Sequence, residues 1–361
     1  MTKSSTSIQA RPGRRRFAAG AVAAVAAPSV LWTRRASAAG QVIVRTPGGV
    51  FDDIKRETIY EPFRKETGIE VVPVAATSGK LIAMMKSGQS ELDVIDTGDS
   101  TLLELERGNY LQPIDYGAFK YTDPADLDPV IKRKFQVGCF IYAMALGFNT
   151  KAIPVGSEPK SWVEFWDVKK FPQRRTFPDM ASGTPPLEFA LIADGVPMDK
   201  LYPMDIDRAF KALSRIRSAI PKFWDTGALS SSMLADNEVA MGPLWSTRIS
   251  AAIDQGAPLA IQWNQNALLA QAYGIPVGAK NLENAKKYID YSSSAESQSR
   301  WFSKYKAIPV NTKAYSATSK TLIDPETNTP WTRSKGFVLD INWWAENRQA
   351  VGKYWSKWIL G

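Results

Sequence analysis

Residues 41–74 read QVIVRTPGGVFDDIKRETIYEPFRKETGIEVVPV and contain the pattern that decides the fold class. An apolar strand opens this stretch, and the pair Gly48-Gly49 then turns the chain into a helix whose apolar side chains fall on one side. Gly68 ends the helix, and a second apolar strand follows. A strand, a helix and a strand joined by short glycine-bearing turns are typical of a parallel sheet in an α/β protein.

The alternation of strands and helices restarts at Lys160, which predicts two α/β lobes. A chain of 361 residues with 44% hydrophobic residues is long and apolar enough to fill two cores. Residues 332–361 predict a basic, Trp-rich helix. Two interpretations fit its composition: docking on the second lobe, favoured because Asp340 and Glu346 offset part of the positive charge, and adsorption to a membrane surface.

The first forty residues indicate export from the cytoplasm. Arg14-Arg15-Arg16 precedes an uncharged apolar run at residues 17–32, and Ala36-Ser37-Ala38 supplies the small residues of a signal-peptidase site. Paired arginines at this place are typical of the twin-arginine route, which exports folded proteins. We therefore predict a signal peptide at residues 1–38. The alternative is an uncleaved membrane anchor, although the apolar run is shorter than the ~20 residues of a typical span.

Removal of residues 1–38 changes the charge balance of the chain. These residues contain seven of the 45 basic residues and none of the acidic ones, which leaves 38 basic against 36 acidic residues in the remainder. The formal net charge of +9 is therefore mainly a property of the export signal. It does not indicate nucleic-acid binding.

Several classes of enzyme are excluded by residues that the sequence lacks. The absence of histidine excludes Ser-His-Asp and Cys-His nucleophile systems and imidazole metal sites. The single cysteine, Cys139, cannot form an intrachain disulfide. Two Ser-x-x-Lys patterns, Ser157 to Lys160 and Ser303 to Lys306, leave a Ser-Lys nucleophile open, but no S-D-N or K-T-G element completes such a site. We therefore expect no catalytic residues, no cofactor and no metal.

A series of short motifs runs through most of the chain in a characteristic order. They are Gly48-Gly49-x-Phe51, Pro62-Phe63-x-x-Glu66-Thr67-Gly68-Ile69-x-Val71, Leu92-Asp93-Val94-Ile95, Gly147-Phe148-Asn149, Ser161-Trp162-x-x-Phe165-Trp166, Asn237-Glu238-Val239-Ala240-Met241-Gly242 followed by Trp245, Gly274-Ile275-Pro276, and Ala307-Ile308-Pro309-Val310-Asn311. In this order they resemble the bacterial extracellular solute-binding proteins of ABC importers, and the spermidine/putrescine-binding branch is the most similar. The resemblance covers about residues 41–315.

The resemblance implies an α/β, two-lobed periplasmic-binding-protein fold of type II, in which each lobe is a sheet flanked by helices and the lobes close over a ligand. The implied limits are lobe 1 at 39–148, lobe 2 at 149–273, a return to lobe 1 at 274–308 and a C-terminal segment on lobe 2 at 309–361, with crossings near 147–150, 273–276 and 308. The implied protein is a monomeric periplasmic receptor that delivers a small molecule to an ABC permease of the inner membrane and binds no nucleic acid. A periplasmic enzyme on the same fold is the alternative.

Ligands of open α/β sheets bind at the carboxyl ends of the strands, so the loops after the strands supply the site candidates. The candidate ligand-binding residues are Thr46, Gly49, Phe51, Ser78, Asp96, Thr97, Asp99, Ser182, Asp225, Trp245, Arg248, Gln271 and Tyr273. Phe51 follows two glycines that allow close backbone approach, unless these glycines only turn the chain. Asp99 is either a ligand contact or a helix N-cap, and in the second case Asp96 is free to meet an amine. Trp245 is the foremost candidate, because the resemblance places an aromatic residue there against a polyamine's alkyl chain; the alternative is a core residue of lobe 2.

The chain departs from the polyamine binders at positions where the resemblance implies amine-binding carboxylates. Gln271 stands at one of them, and the loop at residues 180–184 contains no acid. Arg248 adds a cation, unless it is a solvated surface residue. A guanidinium repels a bare polyamine but binds a carboxylate or phosphonate through two parallel hydrogen bonds. We therefore expect a small zwitterion, or an amine with an acidic group, as the ligand. A di- or polyamine is the second candidate, with the three candidate aspartates as its amine contacts.

Overall fold

The computed structural model describes residues 40–88 and 90–360. The predicted signal peptide, with its twin-arginine motif and cleavage site, lies outside the described residues. The described strands are β1 (Gln41–Thr46), β2 (Glu70–Ala75), β3 (Val94–Gly98), β4 (Leu111–Gln112), β5 (Val137–Asn149), β6 (Thr176–Pro178), β7 (Lys222–Trp224), β8 (Met241–Trp245), β9 (Leu259–Pro276), β10 (Ile308–Pro309), β11 (Ile323–Asp324), β12 (Thr329–Pro330) and β13 (Gly336–Val338).

The α-helices of the same part of the chain alternate with these strands. They are α1 (Val50–Lys55), α2 (Glu61–Thr67), α3 (Ser78–Lys86), α4 (Asp99–Arg107), α5 (Trp162–Trp166), α6 (Leu187–Ala193), α7 (Ile206–Ser214), α8 (Gly227–Ala235), α9 (Ser246–Asp254), α10 (Leu282–Ser293), α11 (Ala295–Phe302), α12 (Trp331–Ser334) and α13 (Ile341–Ile359). A π-helical segment at Arg56–Tyr60 joins α1 to α2.

The opening stretch folds as a parallel strand–helix–strand unit. β1 and β2 pair in parallel along their whole length. Gly48 and Gly49 have φ angles of 77° and 66°, and Gly68 takes the left-handed conformation at the C-cap of α2. These are conformations that glycine adopts without steric cost, so both predicted turns have their physical reason in the sequence.

The helix predicted between these turns is interrupted by the π-helical segment. Pro62 has no backbone N–H, so it cannot donate the hydrogen bond that an α-helix requires to the carbonyl of Thr58. Arg300 Nε donates to that carbonyl instead, at 3.2 Å. α1 ends at Lys55, whose side chain is fully buried beside Asp96 of β3.

Two long antiparallel partners, β5 and β9, lie at the centre of the main sheet. The strand order of this sheet is β10-β5-β9-β3-β1-β2, with β8 paired to β5 and with β4 and β13 paired to β9. β5 has 13 residues and β9 has 18. Since typical strands have about 5–6 residues, each of these two is long enough to extend from one hydrophobic core into another.

Two large hydrophobic cores define the two lobes. In lobe 1, one face of the sheet packs against α2, α10 and α11, and a smaller apolar cluster lies between the other face and helices α3 and α4. The core of lobe 2 contains residues of α5 to α9 and of α13. Each lobe is thus a sheet portion flanked by helices.

The chain crosses between the two cores inside β5 and β9 rather than at their ends. In β5, Ile141 belongs to the core of lobe 1 and Met144 to that of lobe 2, and β9 changes core at residues 267–268. These changes of core come several residues before the crossings expected near 147–150 and 273–276, which stay predictions. A continuous apolar strand carries no local mark of the point where its packing partners change.

In the C-terminal part of the chain, the change of core comes after residue 308, where the third crossing is expected. Val310 and Leu322 still belong to the core of lobe 1, and Phe337 is the first residue after them in the core of lobe 2. Residues 309–361, expected as one segment on lobe 2, thus contribute side chains to both cores. Its last helix, α13, packs on lobe 2 through the buried tryptophans Trp343, Trp344 and Trp355. None of the described helices is long and apolar enough to cross a membrane.

Candidate ligand-binding site

A cleft of about 520 Å³ lies where the two lobes meet. Its floor is formed by β5 and β9, in which alternate residues point to one face of the sheet. Phe140, Tyr142 and Met144 contribute from β5, and Leu269 and Gln271 from β9. The strands that cross between the lobes therefore also form the base of the site.

Two walls rise from this floor. The lobe 1 wall is built from the loops after β1, β2 and β3, and the lobe 2 wall from the loops after β6, β7 and β8. Helices α3, α4, α8 and α9 begin at these loops. The backbone N–H groups at a helix N-terminus lack intrahelical partners and lie at the positive end of the helix dipole, so they favour polar or negatively charged ligand atoms.

The structure brings most of the candidate residues together. Those that line the cleft are Phe51, Ser78, Thr97, Asp99, Ser182, Asp225, Trp245, Arg248 and Gln271. Those that do not line it are Thr46, Gly49, Asp96 and Tyr273. The lining residues that sequence reasoning missed include Arg45, Phe140, Tyr142, Met144, Thr247 and Tyr305. Thr247 lies between the candidates Trp245 and Arg248, where the strand-end rule applies, and the β5 residues had the signal of their period of two.

Trp245 stands at the lobe 2 end of the floor and is half-buried. Its ring packs edge-on against Trp224, with 5.1 Å between the ring centroids, and Trp224 Nε1 donates to the carbonyl of Pro243 at 3.1 Å. A Cβ atom at Gly227 would lie 2.9 Å from Cε3 of Trp245 and 2.7 Å from Nε of Arg248. The glycine therefore makes room for both of these cleft residues.

Arg248 lies one helical turn after Trp245 and is half-buried in the cleft wall. Within the part of the chain that the structure describes, its guanidinium forms no hydrogen bond and no ion pair. Tyr142 and Tyr305 are its electrostatic neighbours, and burial raises the pKa of both phenols, so they stay neutral beside the guanidinium. Arg248 is thus a cation in the cleft for which the described residues supply no counter-ion.

Asp99 is the first residue of α4 and is only 9% exposed. Burial raises the pKa of its carboxyl from 3.8 to about 6, against the opposing effect of Arg133 and of nearby backbone N–H groups. Gly98 occupies the N-cap position of α4, where no side chain caps the helix, so neither Asp99 nor Ser100 has the capping role. The Asp99 carboxylate forms no ion pair with any described residue.

Two of the candidates outside the lining, Asp96 and Tyr273, lie behind the cleft floor. Lys55 Nζ is 2.6 Å from Asp96 Oδ2 and 2.8 Å from Tyr273 Oη, and Asp96 is fully buried. The second oxygen of Asp96 accepts a hydrogen bond from Gln271 Nε2 at 2.8 Å. Asp96 is therefore not free to meet an amine, because both of its oxygens have protein partners inside lobe 1.

The other two candidates outside the lining belong to the turn between β1 and α1. Thr46 is buried, and its hydroxyl donates to Asp52 Oδ2 at 2.7 Å. Gly49 is the N-cap residue of α1, and its carbonyl accepts from the backbone N–H of Asp52 at 2.8 Å. This turn positions Phe51, whose ring packs edge-on against Trp301 and Tyr305 at the cleft wall.

Comparisons with known proteins show which family this chain is similar to. The sequence profile of a family described as bacterial extracellular solute-binding proteins matches residues 58–329. A gamma-aminobutyric acid-binding protein from Pseudomonas aeruginosa is 26% identical over 324 residues, which cover 86% of this chain and 88% of the relative. A spermidine/putrescine-binding periplasmic protein from Salmonella typhimurium is 24% identical over 287 residues, covering 72% and 79% respectively.

Solved structures agree with this result. One solved structure, described as a GABA receptor, superposes on this chain with a TM-score of 0.77 and is 31% identical in sequence. The superposition covers 88% of this chain and 97% of that structure. The predicted α/β fold with two lobes is therefore confirmed, as is the resemblance from which its lobes were expected. Proteins of this kind bind small ligands and work with a membrane permease, and this chain has the same receptor role. The chain belongs to the family of bacterial extracellular solute-binding proteins.

Proposed function

We propose that the protein is a periplasmic receptor of an ABC importer that captures a small amino-acid-like zwitterion by lobe closure and carries out no reaction on it. The observation that carries this proposal is a pair of opposite charges in one cleft. Asp99 and Arg248 both line it, and neither has an ion-pair partner among the described residues. Tyr142 is an electrostatic neighbour of both charges. A ligand with an ammonium and a carboxylate satisfies both at once.

The proposed orientation follows from the walls. The carboxylate lies against Arg248, whose guanidinium offers two parallel donors, and near the N-termini of α8 and α9. The ammonium lies at the lobe 1 wall against Asp99. Trp245 covers the methylene chain between the two ends, because an aromatic face suits both methylene groups and a nearby cation.

The names of the relatives suggest a first probe. Gamma-aminobutyric acid, after which two similar proteins are named, carries a carboxylate and an ammonium on a short methylene chain. A di- or polyamine remains the second candidate, because Asp225 adds another carboxylate to the cleft that has no ion-pair partner in the described chain. Arg248 opposes this candidate, since a bare polyamine has no group for the guanidinium.

A binding panel tests the proposal directly. We expect the purified protein to bind 4-aminobutyrate in isothermal titration calorimetry, with putrescine and glutarate much weaker. At 100 times its dissociation constant, a ligand that binds only the folded state adds about 2.7 kcal/mol to the free energy of unfolding, which a thermal-shift assay detects. Preference for putrescine would replace the zwitterion with the polyamine. Binding of none of the amines would overturn the proposal.

Closure and the absence of chemistry need their own measurements. Small-angle scattering should show a smaller radius of gyration with the ligand that binds, and a mass that fits a monomer with and without it. Nuclear magnetic resonance of the ligand after long incubation should return it unchanged. Product formation would instead support the periplasmic enzyme on the same fold.

Location in the periplasm is proposed from the signal at residues 1–38. Lysine in place of both Arg14 and Arg15 should trap the precursor inside the cell, because the twin-arginine receptor reads the arginine pair. Normal periplasmic accumulation of this variant would point to the general secretory route. A mature N-terminus upstream of Ala38 would indicate an anchor instead.

The nearly balanced charge of the mature chain also leads us to propose no nucleic-acid partner.

A further inference from the structure

A buried ion pair lies directly behind the lobe 1 end of the cleft. Lys55 and Asp96 are both fully buried, with 2.6 Å between Nζ and Oδ2. The ammonium also lies over the rings of Phe51, Tyr273 and Trp301, at 4.6 to 5.0 Å from their centroids. A buried charge costs much free energy unless it is paired, so this pair strongly favours a fixed arrangement.

The arrangement extends from the ion pair to the cleft through one hydrogen bond. Asp96 Oδ1 accepts from Gln271 Nε2 at 2.8 Å. A carboxylate paired with a lysine can only accept, so the amide of Gln271 must direct its NH₂ group toward Asp96. The carbonyl oxygen Oε1 is the amide atom left for the cleft that Gln271 lines, and it accepts no hydrogen bond from any described residue.

The free carbonyl oxygen of the floor and the unpaired acid of the lobe 1 wall both line the cleft, at neighbouring positions of the β3–β9 pairing. Gly98 pairs with Gln271 in the register of β3 and β9, and Asp99 is the next residue of that chain. The Gln271 carbonyl oxygen and the Asp99 carboxylate are two hydrogen-bond acceptors of the cleft lining. Such a pair suits an ammonium, which only donates, and repels a carboxylate.

We propose that Lys55 and Asp96 are positioning residues that hold Gln271 Oε1 toward the cleft as a ligand acceptor, so that the part of the floor beside the lobe 1 wall accepts an ammonium in preference to a carboxylate. This inference rests on the proposed function for the presence of an amine in the ligand. It extends that function by giving the floor beside the lobe 1 wall a fixed preference that does not depend on the charge of Asp99. A glutamate at position 271 would bring a second carboxylate to within 2.8 Å of Asp96, and the two negative charges would repel each other. A neutral amide avoids this repulsion and still offers an acceptor to the cleft.

A double-mutant cycle tests the inference with 4-aminobutyrate as the probe, or with putrescine if the wild-type protein prefers it. The variants are Asp96→Asn, Gln271→Leu and the two combined, each checked by circular dichroism and thermal melting. Asp96→Asn lets the Gln271 amide turn over, so we expect the probe to bind at least tenfold more weakly. In the Gln271→Leu background the same change should alter affinity less than threefold, because no amide remains to be positioned. If Asp96→Asn does not fold, Lys55→Met combined with Asp96→Asn removes both charges and replaces it in the cycle.

The outcomes separate this inference from the proposed function. Strong coupling in the cycle supports it with either amine as the probe. An equal loss of affinity in both backgrounds would show that Asp96 acts only on the stability of lobe 1, and would overturn it, as would unchanged affinity of Asp96→Asn. A wild-type protein that binds glutarate and neither amine would overturn both proposals. As a second readout, the preference for 4-aminobutyrate over glutarate should fall in Asp96→Asn, whereas a merely structural change should weaken both ligands alike.

Discussion

The two walls of the cleft hold their polar groups in different ways. In lobe 1, Gln271 is tied to Asp96, and Asp96 to Lys55, in a network that is almost entirely buried. In lobe 2, Arg248 is half-buried and Asp225 is exposed, and neither side chain has a hydrogen-bond or ion-pair partner in the described part of the chain. The buried network at the lobe 1 end of the cleft is therefore ordered before a ligand arrives, whereas Arg248 and Asp225 have no such partners among the described residues.

This difference suggests a division of roles between the walls. Groups that are already fixed lose little conformational freedom on binding, while ordering a flexible side chain costs about 0.5–1.5 kcal/mol. A charged hydrogen bond gives back about 1.5–3 kcal/mol, so Arg248 still gains when a carboxylate reaches it. We expect lobe 1 to decide which end of the ligand is an amine, and lobe 2 to supply most of the affinity that favours closure.

The largest effect is expected at Arg248. Arg248→Ala should weaken binding of 4-aminobutyrate by about 2–5 kcal/mol in calorimetry, because the ligand carboxylate is left desolvated and unpaired. Arg248→Lys should recover only part of this loss, since an ammonium cannot offer two parallel donors. Arg215→Ala is the matched control, because Arg215 forms an exposed ion pair with Asp194 and does not line the cleft. Tighter binding of putrescine by Arg248→Ala would instead favour the polyamine.

The second effect concerns Trp245. Trp245→Ala should weaken any ligand with an alkyl or cationic part by about 2 kcal/mol or more, as buried aromatic anchors do. Trp245→Phe keeps an aromatic face and should lose less. Both variants should keep nearly the thermal stability of the wild-type protein without ligand, because Trp245 is half-buried at the cleft and Trp224 carries the packing beneath it. Equal affinity of all three proteins would place the ligand away from lobe 2.

Asp99 should make binding depend on pH. Because burial raises its pKa to about 6, the carboxyl is protonated below that pH and an ammonium must displace the proton. Affinity for 4-aminobutyrate should therefore fall by about tenfold per pH unit below 6. Calorimetry in buffers of different ionisation enthalpy should detect the released proton at pH 5.5.

The matched variant for this prediction is Asp99→Asn, which should bind weakly with a flat pH profile. It should also stabilise the unliganded protein at neutral pH. Because folding raises the pKa of the Asp99 carboxyl group, this group adds to the free energy of unfolding below its unfolded-state pKa, near 3.8. That contribution is lost as the pH rises through about 6, where the buried carboxyl group becomes charged. A wild-type affinity that stays constant from pH 7 to 5 would remove Asp99 from the ammonium site.

The smallest effect is expected at Gly227. A side chain there meets Arg248 and Trp245 within 2.9 Å, so Gly227→Ala should shift both and weaken binding by less than tenfold, which corresponds to less than about 1.4 kcal/mol. Gly352→Ala in α13 is the control, because its new Cβ would meet only Met180 Cε at an ordinary 3.8 Å. Unchanged affinity of Gly227→Ala would show that the lobe 2 wall adjusts freely, which would sharpen the contrast with lobe 1.

Much of the fold and part of the site could be predicted from local sequence. Strand–helix–strand periodicity and the glycine turns predicted the sheet, because both depend on residues close together in the chain. The rule that ligands bind at strand ends nominated all six loops that line the cleft, and Trp245 and Arg248 among them. It could not separate Asp99, which follows β3, from Asp96, which lies inside β3, because sequence alone did not fix where the strand ends.

Tertiary structure decided the points where distant segments meet. Asp96 is engaged by Lys55 and Gln271, which are 41 and 175 residues away in sequence, so no local pattern marks its carboxylate as occupied. The crossings inside β5 and β9 depend on which core covers each part of a continuous apolar strand. The sequence by itself determined the elements, the turns and the residue types available to the cleft. Only folding decided which of these charges are neutralised inside lobe 1 and which remain for a ligand, because ion pairing and burial depend on distance in space rather than on distance along the chain.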